Sequence, residues 1–253
     1  MNIQSQAILA DLKRPGSLSV AFACSPAEVR EAQRLRYEIF AGEMAARLHT
    51  LTPDLDHDDL DEHCRHLLVR DNATGQVVGC TRVLTDRQAQ QAGGFYSQGE
   101  FDISQILASP GRFMEIGRTC VRADYRNGAT ITALWSGLAE FIAEHDFDYL
   151  IGCASVPLGE RGAGAHALFG DLAPRYLSAD HLRAYPLNPL PPRDESAEAR
   201  YSIPPLLKAY LRVGALICGE PCHDPDFQVA DLFILLSTSN VERRYARHFM
   251  GRS

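Results

Sequence analysis

Larger apolar residues alternate with small ones over residues 18–24, Leu-Ser-Val-Ala-Phe-Ala-Cys, and the period then changes. Alternation with period two predicts a strand with one buried face. Ser25-Pro26-Ala27-Glu28 follows, giving an N-cap, a proline at the first helical position and a Glu three after the cap, so a helix is expected to begin there. Ala32, Leu35, Ile39 and Phe40 mark its buried stripe, and Gly42 is its expected stop or kink. After an acidic stretch from Asp54 to Glu62, two strand-like runs at 66–70 and 76–84 flank the turn chemistry of Asp71-Asn72-Ala73-Thr74-Gly75, which predicts a hairpin.

Gly93-Gly94 breaks the pattern, a short amphipathic piece covers 103–107, and 112–121 reads as a further strand. Arg126-Asn127-Gly128-Ala129-Thr130 is then a short basic turn opening a helix whose Ile131, Leu134, Trp135, Leu138, Phe141 and Ile142 keep helical spacing. Residues 149–154 form a buried strand. Residues 186–196 are proline-rich and polar, a long loop or a boundary. Beyond them lie a helix from Pro204-Pro205 with Leu206, Leu207, Tyr210 and Leu211, a strand at 232–236, and a basic terminal helix carrying Arg243, Arg244 and Arg247. The tail from 186 has too few elements for its own core, so one α/β domain over 1–253 is expected.

Composition narrows the function. Twenty-five Lys plus Arg against 32 Asp plus Glu give a net charge of −7, which argues against a globally basic nucleic-acid binder. The 45% of hydrophobic residues argues against disorder. Seven scattered cysteines, mostly in apolar runs, look like reduced thiols; Cys218 and Cys222, with His223, have no second Cys/His pair at ligand spacing, so no metal is expected. Residues 1–20 lack an apolar core of signal-peptide length, and no window reaches 18 uninterrupted apolar residues, so a cytoplasmic protein is expected.

Candidate chemistry starts at the 126–130 turn. A helix N-terminus offers free amides and the positive end of the macrodipole to a phosphate, and Gly128 permits close approach. With the preceding strand carrying Glu115, Gly117 and Arg118, the chain resembles the GCN5-related N-acyltransferase superfamily. That resemblance implies a mixed central sheet flanked by helices, splayed at strand four, with Val121, Arg126, Asn127, Gly128, Ala129 and Thr130 binding phosphopantetheine. The turn is a shortened form of the usual Arg-x-x-Gly-x-Gly/Ala wording.

Arg36 and Phe40, Asp58 and Asp61, Arg82, and Glu115 with Arg118 are similar to the pattern of acyl-homoserine-lactone and N-acyl amino acid synthases. Longer stretches, Phe95-Tyr96-Ser97-Gln98-Gly99-Glu100-Phe101-Asp102, residues 115–121, 204–211 and Ile217-Cys218-Gly219-Glu220-Pro221, resemble the L-ornithine N-alpha-acyltransferases. This resemblance implies transfer of a 3-hydroxyacyl chain from acyl carrier protein to the α-amine of L-ornithine, giving lyso-ornithine lipid. It implies no permanently bound cofactor, the donor being the carrier's phosphopantetheine arm, and a lipid product leaves peripheral contact with the cytoplasmic membrane open. Another acceptor, or a non-catalytic acyl-binding protein, are the alternatives.

Residue by residue, blander readings stay open. Asp58 and Asp61 sit in an acidic run that a solvated loop would also explain. Arg36 could be a plain surface cation. Arg82, within a strand, would be costly to bury unpaired and needs Glu115 or Asp61 as partner, in a structural bridge or a substrate site. Glu115 is the expected base for the acceptor's ammonium, the two Asp residues suit its cationic groups, and an Arg suits its carboxylate. Glu115 and Arg118, three positions apart, would face opposite ways in a regular strand, so a bulge is expected, most naturally at Gly117. An acidic carrier also needs a local basic patch, with Arg122 and Arg126, Lys208 and Arg212, or the terminal arginines as candidates.

Overall fold

A computed structural model describes residues 17–192 and 199–239. The strands are β1 (Leu18–Phe22), β2 (Arg65–Asp71), β3 (Val77–Thr85), β4 (Phe101–Asp102), β5 (Phe113–Val121), β6 (Tyr149–Pro157), β7 (Tyr185–Pro186), β8 (Leu216–Ile217), β9 (Cys222–Asp224) and β10 (Val229–Ser237). The α-helices are α1 (Pro26–Tyr37), α2 (Asp86–Ala92), α3 (Ser104–Leu107), α4 (Ala129–His145), α5 (Ala163–Tyr176) and α6 (Pro205–Val213). The chain divides into two compact units, one of residues up to 84 with 117–145, the other of 85–116 with the residues from 146 onward. The basic terminal helix expected around Arg243, Arg244 and Arg247 lies outside the described residues.

In the first unit the strand order is β1-β2-β3-β5. β1 and β2 pair antiparallel, as do β2 and β3, with a register shift at Val69/Arg70. Side chains alternate across this sheet, and two helices use the two faces. Leu68 is opposite Cys80, and the Cys80 thiol approaches the Ala32 carbonyl of α1. Leu67 is opposite Thr81, and Leu67 lies against Gly137 of α4. α1 therefore covers the even face of β2 and β3, and α4 the odd one. Ser25 caps α1 by accepting from the Glu28 N–H, while the Glu28 carboxylate accepts from the Cys24 N–H. The helical segment ends one residue after Gly42, close to the expected stop, but its last part is a π-helix, Glu38–Glu43, that buries Ile39 and Phe40.

In the second unit the order is β5-β6-β10-β8, with β9 also on β10. β10 pairs antiparallel with β6 over nine positions, from Val229↔Pro157 to Ser237↔Tyr149, and its residues 230–236 are all buried. The parallel register of β5 with β6 covers three pairs, Phe113↔Tyr149 to Glu115↔Ile151. Parallel and antiparallel pairing coexist, giving a mixed α/β sheet. β5 itself is kinked: Arg118 has φ +52°. The expected irregularity is present, one residue after Gly117, although a non-glycine residue in that region carries a cost of order 1–3 kcal/mol.

One close approach fixes the 126–130 turn to this framework. A Cβ on Gly79 of β3 would sit 2.5 Å from the Thr130 methyl carbon, and Thr130, fully buried, donates its hydroxyl to the Tyr125 carbonyl. Thr130 is β-branched and stiff, so it has little room to yield. Gly79→Ala is expected to cost about 1–3 kcal/mol of stability. Thermal melts of Gly79→Ala alone and with Thr130→Ser check this, the serine recovering much of the loss because the clashing methyl is gone.

Candidate active site

Six charged side chains of the first unit converge below α1. Arg36, in the last turn of α1, grips Asp61 with both terminal nitrogens, Nη1 to Oδ1 at 3.0 Å and Nη2 to Oδ2 at 2.6 Å. Its Nε lies 2.7 Å from Asp56 Oδ2, and its Nη2 also donates to the Asp56 carbonyl. Arg82 on β3 donates from Nη1 to Asp58 Oδ1 at 2.5 Å and to Asp61 Oδ1 at 2.9 Å. Gln33 adds a bond to Asp61 Oδ2 at 2.9 Å. Arg118 closes the group, its Nε 3.5 Å from Asp56 Oδ2 and its Nη2 3.8 Å from Asp58 Oδ2, with the Phe40 ring centre 5.9 Å from its guanidinium carbon.

Three guanidinium groups thus balance three carboxylates. Arg36, Arg82, Asp56 and Asp61 are buried, with side chains 1–5% exposed, whereas Arg118 and Asp58 keep 17% and 28% of theirs open. The acidic run is not a uniformly solvated loop: Asp61 is buried while its neighbours Asp59 and Glu62 are exposed. The sequence pattern signalled Arg36, Phe40, Asp58, Asp61, Arg82 and Arg118, and the fold brings them together. It did not signal Gln33 or Asp56, whose burial depends on where the 45–58 segment lies.

Burial and charge oppose each other here. Burial alone would lower the Arg36 and Arg82 guanidinium pKa values, but their aspartates more than reverse it and both are raised. Burial alone would raise the Asp61 carboxyl, yet Arg36 and then Arg82 hold it well below the usual carboxylate range. His66 on β2 has Nε2 3.3 Å from the Asp61 carbonyl, and burial pulls its pKa down despite Asp61.

The 126–130 turn is exposed from Arg126 to Ala129, with Gly128 at φ +90°. Arg126 Nε donates to the Val121 carbonyl at 2.9 Å, its Nη2 meets Glu43 at 2.6 Å, and Asn127 accepts from the Ala129 N–H at 3.1 Å. Tyr125 donates to Asp71 at 2.5 Å, tying the turn to the β2–β3 hairpin. The Arg126 guanidinium and the Ala129 amide therefore already meet oxygens of the chain itself. Arg122 pairs with Asp124.

In the second unit Glu115 on β5 is 3% exposed. Its carboxylate accepts from the Tyr96 N–H at 2.6 Å, from the Ser97 N–H at 2.9 Å and from the Ser97 hydroxyl. The 95–102 stretch is thus folded around Glu115, and Gln98 closes its turn by accepting from the Phe95 N–H. Cys153, its thiol pushed well up by burial, lies 3.6 Å from Ser97 Oγ. Cys218 and Cys222 are both buried free thiols; burial pushes Cys218 up to about 12, and Cys222 donates to the Glu100 carbonyl. Glu100, Asp224 and Asp231 bring carboxylate oxygens within 4.8 Å of one another. Asp231 there accepts from Ser155, and Asp224 from the Asp226 and Phe227 amides. Lys208 and Arg212 are exposed on α6. Among the described residues no helix is long and apolar enough to cross a membrane.

Residues 35–136 match the acetyltransferase (GNAT) domain family. The L-ornithine N(alpha)-acyltransferase of Brucella abortus is 35% identical over 260 residues, covering 94% of this chain and 90% of that protein. That of Rhodobacter capsulatus is 30% identical over 256 residues, covering 94% and 96%. Among solved structures, the N-acyl amino acid synthase FeeM from uncultured soil microbes superimposes with a TM-score of 0.54 at 10% identity, covering 92% of this chain and 99% of that one. The acyl-homoserine-lactone synthase LasI gives 0.52 at 14% identity, covering 88% and 90%. These structures share the fold.

Acid should weaken the folded state in two windows. The folded-state pKa of His66 lies below its unfolded value, so the unfolded chain takes up a proton first and stability falls as pH drops below about 6.5. Asp61 is likewise depressed, so its contribution is complete above about pH 4 and is lost below it. Urea midpoints across this range should fall on acidification, and His66→Gln should flatten the upper window alone. A wild-type midpoint constant between about pH 7 and 5 would contradict the His66 assignment.

Proposed function

Because the chain belongs to the L-ornithine N-alpha-acyltransferase family, we propose that it transfers a 3-hydroxyacyl group from acyl carrier protein to the α-amine of L-ornithine. The observation that carries the reading is the charge-balanced cluster in which one cation and one anion, Arg118 and Asp58, stay partly open while the rest is sealed. A zwitterion with an extra ammonium group needs that pairing. Arg118 would hold the acceptor's carboxylate, and Asp58 an ammonium. Arg36 and Arg82, buried and both bonded to Asp61, act with it as their support.

In the reaction the α-ammonium gives up a proton, and the neutral amine attacks the thioester carbonyl. The tetrahedral oxyanion collapses, the C–S bond breaks, and the carrier thiol leaves as the amide forms. We assign proton acceptance to Glu115, directly or through a water. Three donors already bond its carboxylate and fix where it points. Backbone amides of β5 are our choice for the oxyanion. The carrier's phosphopantetheine arm is assigned to Val121 and to the turn from Arg126 to Thr130. Exposed ion pairs are worth about 0–1 kcal/mol, so Glu43 can yield Arg126 to a phosphate. The lipid product would bring the protein to the cytoplasmic face of a membrane.

Mass spectrometry of products, with 3-hydroxyacyl carrier protein and a panel of amino acids, tests the activity. Acyl-ornithine should dominate; another acyl amino acid would redirect the acceptor assignment, and no carrier thiol release would leave an acyl-binding protein. Glu115→Gln should lower kcat by about 10^2–10^4 across pH 6 to 9, while Ser97→Ala, which removes a donor but keeps the carboxylate, should retain most activity. Near-normal turnover of the Gln variant would move the base elsewhere. Arg126→Glu should raise the KM for acyl carrier protein most strongly at low salt and leave that for ornithine unchanged. If carrier kinetics ignore this change and the Lys208→Glu/Arg212→Glu reversal, a free CoA thioester becomes the better donor.

A further inference from the structure

We propose that Asp56, two residues before the Asp58/Asp61 pair, is a positioning residue that aims Arg118 at the acceptor's carboxylate and so makes the enzyme prefer a free amino acid over its amide. The inference rests on the reading of Arg118 given above. Asp56 is the more enclosed of the two, its side chain 5% exposed where that of Arg118 is 17% exposed. One of its oxygens, Oδ2, lies between two guanidinium groups, 2.7 Å from Arg36 Nε and 3.5 Å from Arg118 Nε.

Arg36 is already matched by the bidentate grip on Asp61. A second buried carboxylate beside it is therefore more than neutralising Arg36 requires, and its remaining field falls on Arg118. Arg118 depends on such guidance. Its φ of +52° takes it off the regular strand direction, so side-chain contacts must fix where the guanidinium points. Phe40 supports the group 5.9 Å from the ring centre, and Asp58 is the weaker anchor, 3.8 Å from Arg118 and bonded to Arg82 at 2.5 Å. Arg118 Nε and Asp56 Oδ2 form an ion pair without a hydrogen bond, so Asp56 aims the guanidinium by charge alone, and a planar, pre-aimed fork is what bidentate recognition of a carboxylate uses.

The test compares two acceptors, ornithine and ornithinamide, with the full chain and one saturating acyl donor. Asp56→Asn should raise the KM for ornithine about tenfold, which corresponds to about 1.4 kcal/mol, with kcat and the KM for ornithinamide nearly unchanged. Arg118→Gln should show the same selectivity, and Asp56→Asn added to it should do nothing further. If the Asn variant melts too low to assay, Asp56→Glu, which keeps the charge and displaces it, should give the same selective rise in smaller measure. A change equal for both acceptors, or for neither, in a folded Asp56 variant while Arg118→Gln stays selective overturns the proposal alone. Loss of selectivity in neither variant overturns the reading of Arg118 itself.

Discussion

The bond network between Arg36, Asp61 and Arg82 is the constraint on which the first unit depends. Removing a single ion from water costs several kcal/mol even after relaxation, so three buried charges persist only if each is fully matched. Asp61 is matched four times over, by two nitrogens of Arg36, by Arg82 and by Gln33. Arg36 belongs to α1, Arg82 to β3, and Asp61 to a single turn of 3-10 helix, Asp59–Glu62, that Asp58 caps. Deleting any one member strands the others, which is why an otherwise loop-like acidic segment has one place to be.

The same network separates support from contact. Charges deep in it are spent on each other, and only Asp58 and Arg118, at its open edge, retain exposure. The kink at Arg118 places a cation at that edge against the preference of a regular strand. On the second unit, Glu115 gathers the amides of the 95–102 stretch, so two segments that resemble the family in sequence are one structure in space.

Local elements were largely legible along the chain. The cap at Ser25, the hairpin turn at 71–75, the helix after Gly128 and the run at 232–236 each rest on contacts within a few residues, and β1 to β3, α4 and β10 follow them closely. Three features were not legible. The stop near Gly42 was legible, but not the π-helix at Glu38–Glu43, because Ile39 and Phe40, which it buries, fit a regular helical stripe equally well. α5 escaped because three of its five buried residues, Ala163, Gly164 and Ala165, are small, leaving Leu168 and Leu172 to carry the period, and Gly170 and Pro174 read as breakers. α2 is held by its Thr85/Gln88 capping box and has a single buried residue, Ala89.

For the candidate site the division is sharper. A sequence by itself determines which residue types are available and their spacing, and that was enough to bring out Arg36, Phe40, Asp58, Asp61, Arg82, Glu115 and Arg118 and, with their resemblance, an N-acyltransferase. Whether an aspartate in an acidic run is buried or solvated depends on which cation the fold carries to it from more than 20 positions away, and dielectric environment is not a local property. Tertiary structure therefore decided that Asp61 is buried and Asp58 a partly open anion. It also gave Arg82 the partners Asp58 and Asp61, and it brought in Asp56 and Gln33, which no local pattern distinguishes from surface residues.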